Sequence, residues 1–398
     1  MVILCPSGGI YIKMSKECIL FFGEDWGRLN STGQYLARAL NDNYNIIWVN
    51  SIGLREPELN KNDITRIIVK LKDTISSIFR KDESIVQSDT KIIVLCPIAI
   101  PYLRFKIIRK INKIIVLKYL NRFFKKYNLN ILYLITSCPA TADIVTYIKA
   151  KKIIYYCADE YSELPGMNKK MVIELEQKLL QHSNMVFVTS TELLKEKRKI
   201  NNNIYYLPHG VNYEHMRSSV DHDYDIPNDM KQLVRPLIGY IGLIGEHLDF
   251  DVIDYAAANI KNGTFVMVGP IESHLKNIPR NRNIVYLGSK KYELLPQYLK
   301  YFDVCILPWN RGVRNKYASP TKLREYLSAG CIVVSTDHPE TYNVSNYIYI
   351  SDSKESFLNN IELALKLNVN RNLISEELKN EDWAERADTL IRIVEKSH

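Results

Sequence analysis

The sequence predicts an α/β protein built from two parallel-sheet domains, and three observations carry that prediction. Its 398 residues, 46% of them hydrophobic, suffice for about two domains of roughly 200 residues, each with its own core. Short, continuous apolar runs such as residues 19–22, 46–49 and 332–334 recur between stretches of helical spacing, as expected of strands buried on both faces of a parallel sheet. Between two such runs, residues 319–330 (SPTKLREYLSAG) read as a helix with a marked start and stop, completing a βαβ unit.

In the amino half, strands are expected at 19–22, 46–49, 92–95, 131–135, 153–156 and 185–188. The first leads into the loop 23–30 (GEDWGRLN) and then a helix from Ser31 through Leu40. In the carboxyl half, strands are expected at 237–242, 265–269, 284–288, 301–308 and 332–334, and a terminal helix at 384–396. Gly239, Gly242 and Gly245 follow a GxxGxxG spacing, so the GxGxxG dinucleotide fingerprint is absent. A tight strand-to-helix turn is the plain alternative for that loop.

Within 319–330, Ser319 can cap the free amides, Pro320 suits the first helical position, and Gly330 suits the left-handed residue that ends a helix. An anion can dock on such an N-terminus, and Lys322 adds a full charge. Glu325 lies one turn further on the same face. A phosphate site beside a carboxylate able to accept two sugar hydroxyls suits a nucleotide diphosphate with its ribose. The alternative is an ordinary amphipathic helix with an intrahelical Lys–Glu pair. The loop 310–319 before it lies at the carboxyl end of a strand, where open parallel sheets bind ligands.

The formal net charge of +9 is uneven: ten Lys or Arg and no Asp or Glu fall between Thr90 and Ala142. Arg109, Lys110, Lys113 and Lys118 interleave there with isoleucines at spacings that allow basic amphipathic helices. Such a stretch fits an anionic membrane surface or a solvated helix face. Nucleic acid is the weakest reading, because no nucleic-acid module accompanies the charges. No apolar run approaches the ~18 residues needed to span a bilayer. The first residues lack the pattern of a signal peptide, and Met14 is expected as the natural start. Seven cysteines, with Cys96, Cys138, Cys157 and Cys305 in or beside apolar runs, read as buried free thiols of a reducing cytoplasm, and no Cys/His spacing indicates a metal site.

Pro320, Lys322, Glu325, Tyr326, Leu327, Gly330, Val333, Val334 and Thr336 match the pattern P-x-K-x-x-E-Y-L-A-x-G-x-P-V-V-x-T. In this the chain resembles the carboxyl domain of GT-B glycosyltransferases, especially family four and its relatives in bacterial capsule, O-antigen and exopolysaccharide synthesis. Two positions depart from the pattern: Ser328 stands where alanine is usual and Ile332 replaces a proline. More weakly, residues 25–26 (DW), 30–37 (NSTGQYLA), 48–52 (WVNSI) and 155–166 resemble landmarks of a polysaccharide subgroup, and 207–212 (LPHGVN) resembles the element closing the amino domain. The resemblance implies two Rossmann-like domains facing across a cleft: an acceptor domain over 1–212, a linker over 213–235, a donor domain over 236–380, and a helix over 381–398 that packs back across the junction.

Further implications follow from the resemblance. Lys322 would hold the donor pyrophosphate and Glu325 the ribose, with Gly242, Gly245, Glu246, Gly269, Trp309, Arg314, Lys316, Ser319, Pro320 and Thr321 around them. Many family-four members place an arginine and a lysine after the glycine loop. Neither occurs in 243–251, which leaves Lys322, Arg311, Arg314, Lys316 and helix amides to meet the phosphate charge. The implied reaction moves a sugar from a nucleotide-diphospho donor to a glycan, lipid-linked acceptor, without metal or cofactor. The implied location is cytoplasmic, peripheral on the inner face of the cell membrane. If configuration inverts, a base is needed. Asp159 and Asp25, at strand ends, are the candidates, with Glu160 behind them, and a cap or loop hydrogen bond is the alternative for each. Asp159 is preferred because Glu160, Tyr155 and Tyr156 would raise its pKa. A GT-B nucleotide-sugar epimerase and a non-catalytic nucleotide-sugar-binding subunit remain the alternatives.

Overall fold

The computed structural model describes residues 2–4, 11–13, 16–27, 31–54, 85–87, 92–342 and 344–397. The expected start at Met14 and Asn30 of the opening motif lie outside them. The strands are β1 (Val2–Leu4), β2 (Tyr11–Lys13), β3 (Glu17–Phe22), β4 (Ile46–Val49), β5 (Ile85–Gln87), β6 (Ile93–Leu95), β7 (Asn130–Thr136), β8 (Ala150–Cys157), β9 (Met185–Val188), β10 (Ile204–Tyr206), β11 (Leu237–Ile241), β12 (Thr264–Val268), β13 (Ile284–Gly288), β14 (Val304–Leu307), β15 (Val333–Thr336) and β16 (Ile348–Ser351). The α-helices are α1 (Thr32–Leu40), α2 (Lys106–Lys126), α3 (Lys169–His182), α4 (Thr191–Lys197), α5 (Tyr213–Asp221), α6 (Phe250–Asn259), α7 (Leu295–Tyr301), α8 (Val313–Tyr317), α9 (Thr321–Ser328), α10 (Lys354–Lys366), α11 (Arg371–Glu376) and α12 (Trp383–Lys396).

The chain divides into two compact units, one comprising 1–189, 193–207 and 387–398, the other 190–192 and 208–386. The first unit holds the sheet β10-β9-β8-β7-β3-β4-β6-β5, parallel except for β5 against β6. Its strands β4, β6 and β9, each paired on both sides, are buried along their whole length, as continuous apolar runs require. Ser31 starts α1 as expected, its hydroxyl accepting the Gln34 N–H at 3.3 Å. Helix α2 packs a stripe of Asn112, Val116, Leu120 and Phe123 inward. The Asn112 amide exchanges two 2.8 Å hydrogen bonds with the backbone of Ile100, so its burial carries no unpaired group.

The second unit holds the all-parallel sheet β13-β12-β11-β14-β15-β16. Numbered from β11, that order is 3-2-1-4-5-6, in which the connections diverge between β11 and β14 and open a crevice beyond the strand ends. Residues 213–235, expected as a linker, are instead part of this unit: α5 begins at Tyr213, and Tyr213, Met216 and Met230 are buried in its core. Those apolar residues are too few to mark the segment in composition but are spaced to reach the sheet. The last helix starts at Trp383, and its residues from Ala387 group with the first unit, where Glu395 accepts the Tyr44 hydroxyl at 3.1 Å.

Candidate functional site

Helix α9 is fixed to the sheet at both ends of its buried face. The Tyr326 hydroxyl accepts the Ile241 N–H at 2.8 Å and donates to the Ile241 carbonyl at 3.0 Å, which docks the helix on the carboxyl end of β11. Its last carbonyls are met by Arg371, which bonds Ala329 and Gly330, and by Ser375 and Ser219, which bond Ser328 and Ala329. Gly330 adopts φ +73°, as the expected helix stop requires, and an added Cβ there would meet the Arg371 carbonyl at 2.6 Å.

The start of the helix differs from the expectation. Pro320 is the extended N-cap residue and Thr321 the first helical one, so Ser319 lies one position too early to cap, and no side chain bonds the first amides. The Ser319 hydroxyl is buried without a hydrogen-bond partner. Lys322 pairs with Glu325 at 2.7 Å, the intrahelical arrangement that spacing allowed. An uncapped helix start with an adjacent lysine could receive an anion through its free amides and the lysine charge together.

Around it stand the loops at the ends of β11, β12 and β14. Backbone pairing continues past β11 and β12: Gly242 N–H donates to Val268 and Ile244 N–H to Pro270. Gly269 has φ +146°, and a Cβ there would fall 1.8 Å from the Gly242 carbonyl, so only glycine fits. Gly245 leaves room for the Glu272 carboxylate, which accepts the Glu246 N–H at 3.0 Å; the Glu246 carboxylate pairs with His274 at 3.1 Å.

Loop 308–319 carries the short helix α8 and is held by Asn315. The Asn315 amide donates to the carbonyls of His247 and Asn310, and its own carbonyl accepts His338 Nε2 at 2.7 Å. Glu340 N–H donates to His338 Nδ1, which fixes the neutral Nε2–H tautomer, and burial also holds the pKa of His338 down. Trp309 meets His338 edge-on at 5.1 Å and His247 at 6.2 Å. Burial and then the charge of Arg314 lower the His247 pKa. Lys316 pairs with Glu192 at 3.1 Å. Thus Gly242, Gly245, Glu246, Gly269, Trp309, Arg314, Lys316 and the start of α9 belong to the strand ends of one unit. The roles of Asn315 and His338 escaped the sequence reading. Their only signal was position, His338 two residues past the end of β15 and Asn315 lying in a strand-end loop.

In the first unit, Asp25 lies exposed after β3, its carbonyl accepting Gln34 Nε2 at 3.2 Å. Asp159 follows β8 and its Oδ1 accepts the Glu160 N–H at 2.9 Å, the loop-to-backbone bond named as its alternative. Glu160 is not poised behind these groups. Its carboxylate sits 2.5 Å from the buried Lys197, which also holds Glu176 at 2.7 Å, and Glu176 in turn accepts the Tyr155 hydroxyl at 2.7 Å. Burial pushes the Glu160 pKa up, but Lys197 and Ser162 pull it below its ordinary value, so it stays charged. Tyr155 likewise faces Glu176 and not Asp159.

The basic patch differs from the expectation at Arg109. Arg109 is buried and bonds Asp143 at 3.2 Å and Glu174 at 2.6 Å, so it fastens α2 to its own domain. Lys110 and Lys118 are exposed, and Lys113 lies over the Tyr147 ring at 4.2 Å. Cys96 and Cys138 are half-buried, whereas Cys157 and Cys305 are buried; all are free. A groove of about 400 Å³ between α1 and α12 is lined by Tyr44, Ile391 and Glu395 among others, and by neither Asp25 nor Asp159. Among the described residues no His, Cys, Asp or Glu cluster could hold a metal, and no helix is long and apolar enough to cross a membrane.

The fold is that of the GT-B glycosyltransferases. Sucrose-phosphate synthase from Thermosynechococcus elongatus matches with a TM-score of 0.64 at 12% identity, over 96% of this chain and 98% of that one. Anabaena HepE in complex with UDP and glucose gives 0.62 at 10%, over 95% and 99%, and a glycosyltransferase from Rickettsia africae gives 0.61 at 15%, over 96% and 100%. Residues 235–366, all within the second unit, match the family described as Glycosyl transferases group 1. In sequence, 216 residues are 27% identical to TuaH of Bacillus subtilis strain 168, a protein provisionally assigned as a teichuronic acid biosynthesis glycosyltransferase. That match takes in 50% of this chain and 54% of TuaH, about half the relative's length.

Proposed function

We propose that the protein is a glycosyltransferase that moves a sugar from a nucleotide-diphospho donor to a hydroxyl of a lipid-linked glycan during assembly of a bacterial surface polysaccharide. One observation carries the reading: within the group 1 domain, the uncapped start of α9 combines an unpartnered Ser319 hydroxyl with Lys322 and Glu325 at the point where the sheet connections diverge. Lys322 would exchange Glu325 for the departing diphosphate and stabilise its charge, leaving Glu325 to the ribose hydroxyls. The UDP complex of HepE supports a nucleotide donor. No step requires a cofactor. The exposed lysines of α2 would hold the enzyme on the inner, anionic face of the cell membrane, where a lipid-linked acceptor resides.

Asp159 is the proposed acceptor base, with Asp25 as its rival. Thermal stabilisation by a panel of nucleotide sugars identifies the donor, and product analysis then decides the class. Free nucleotide with a lengthened glycan is expected. An epimerised sugar, or binding without any product, would replace the reading by an epimerase or a non-catalytic subunit. Asp159→Asn is expected to lower turnover by about 10² to 10⁴ with nucleotide affinity unchanged. Full activity in both Asp159→Asn and Asp25→Asn would remove these carboxylates and favour a retaining reaction in which the departing phosphate takes the proton.

A further inference from the structure

Helix α2 has two apolar faces. Its inner stripe of Val116, Leu120 and Phe123 is buried. On the opposite side Ile107, Ile111 and Ile114, spaced i, i+4, i+7, stand 70%, 42% and 63% exposed, and Phe105 at the helix start is 50% exposed. A surface helix of a water-soluble domain needs only the inner stripe. A row of exposed isoleucines on the other face marks an interaction site.

The surrounding charge selects the occupant. Lys110, Lys118 and Arg122 are exposed along the same helix, and the Arg104 guanidinium lies 4.8 Å from the centre of the Phe105 ring. No carboxylate occurs anywhere between Thr90 and Ala142. A second copy of the chain would bring an equally positive face, and like charges repel. An anionic lipid layer offers both the apolar depth and the opposite charge.

We infer that α2 lies in the plane of an anionic membrane with Ile107, Ile111 and Ile114 inserted among the acyl chains, while Lys110, Lys118 and Arg122 reach the lipid phosphates. This deepens the membrane part of the proposed function and rests on it. It changes the mode of binding from surface attraction, which salt abolishes, to insertion, which salt only weakens.

The test is sedimentation with phosphatidylglycerol–phosphatidylethanolamine vesicles at about 0.05 M and about 0.5 M salt, between which the screening length shortens about threefold. The wild type is expected to bind at both. The triple variant Ile107→Ser, Ile111→Ser, Ile114→Ser is expected to lose about tenfold or more in affinity at both, whereas Lys110→Gln with Lys118→Gln should matter only at low salt. Separately, Ile111→Trp should emit at shorter wavelength on vesicles. The inference fails if the triple-serine variant binds like the wild type, if wild-type binding vanishes at 0.5 M salt, or if ultracentrifugation shows a wild-type dimer that the serine variant lacks. Nucleotide-induced thermal stabilisation without lipid separates the two claims. If it persists while vesicles are ignored, only the inference is lost; if it is absent in the wild type, the donor-site reading is lost.

Discussion

At the carboxyl end of β8 the first unit buries a lysine between two carboxylates, while at the start of α9 the second unit leaves a lysine and a glutamate partly open. The Lys197 side chain is 7% exposed and those of Glu160 and Glu176 are 11% and 5%; for Lys322 and Glu325 the values are 27% and 13%. Lys197 cannot let go of its partners without stranding a charge in the interior, so that cluster is scaffold. Lys322 can, because water reaches it and an i,i+3 pair contributes only a few tenths of a kcal/mol. Comparing the two shows which ion pair at a strand end can yield to a ligand: the one whose separation exposes charge to solvent or substrate and not to a core.

The largest effect expected from this contrast is in the first unit. Lys197→Met keeps the length and removes the charge, leaving Glu160 and Glu176 facing each other; urea unfolding should show a loss of about 3–5 kcal/mol. A loss below about 1 kcal/mol would make the cluster dispensable. Because the Glu160 pKa is held below its ordinary value, its share of stability is present above the unfolded carboxylate pKa and drains away as pH falls through the lower folded value.

The second effect is in binding and leaves the fold alone. Lys322→Ala should weaken nucleoside diphosphate by roughly ten- to a hundredfold while hardly changing nucleoside, and Glu325→Ala should weaken both, as calorimetric titration would read. Equal diphosphate affinity in wild type and Lys322→Ala would remove α9 from the site.

The smallest effect sharpens the rule with a third buried group. His209 lies in the second unit near Trp383, and burial, then Arg324 and Arg386, hold its pKa down at about 3. Its folded pKa lies below the unfolded one, so the unfolded chain takes up a proton first. Stability is full above the ordinary histidine pKa and falls as pH drops below it, by about 1.4 kcal/mol per unit down to the folded value. Comparing unfolding of the wild type and His209→Gln at pH 7 and 5.5 should show a steeper loss in the wild type, since His247 and His338, also held down by burial, contribute equally to both.

The strands at 19–22, 46–49 and 237–241 were legible because burial on both faces demands unbroken apolar runs, and Gly330 because only glycine takes its backbone angle without strain. Much of the candidate site was legible for the same reason: Gly269, Lys322 and Glu325 are tied to backbone shape or to spacing along one helix. Local sequence did not reveal that Arg109 turns inward to Asp143 and Glu174, that Glu160 is claimed by Lys197, or that 213–235 joins a core. The charge pairings depend on residues 34 to 65 positions away. The sequence by itself determined what repeats within a few residues, namely strand burial, helix stops and the Lys–Glu spacing of α9. The tertiary structure alone decided which charges are paired, because a charged side chain takes its partner from whatever the packed sheet brings within about 4 Å.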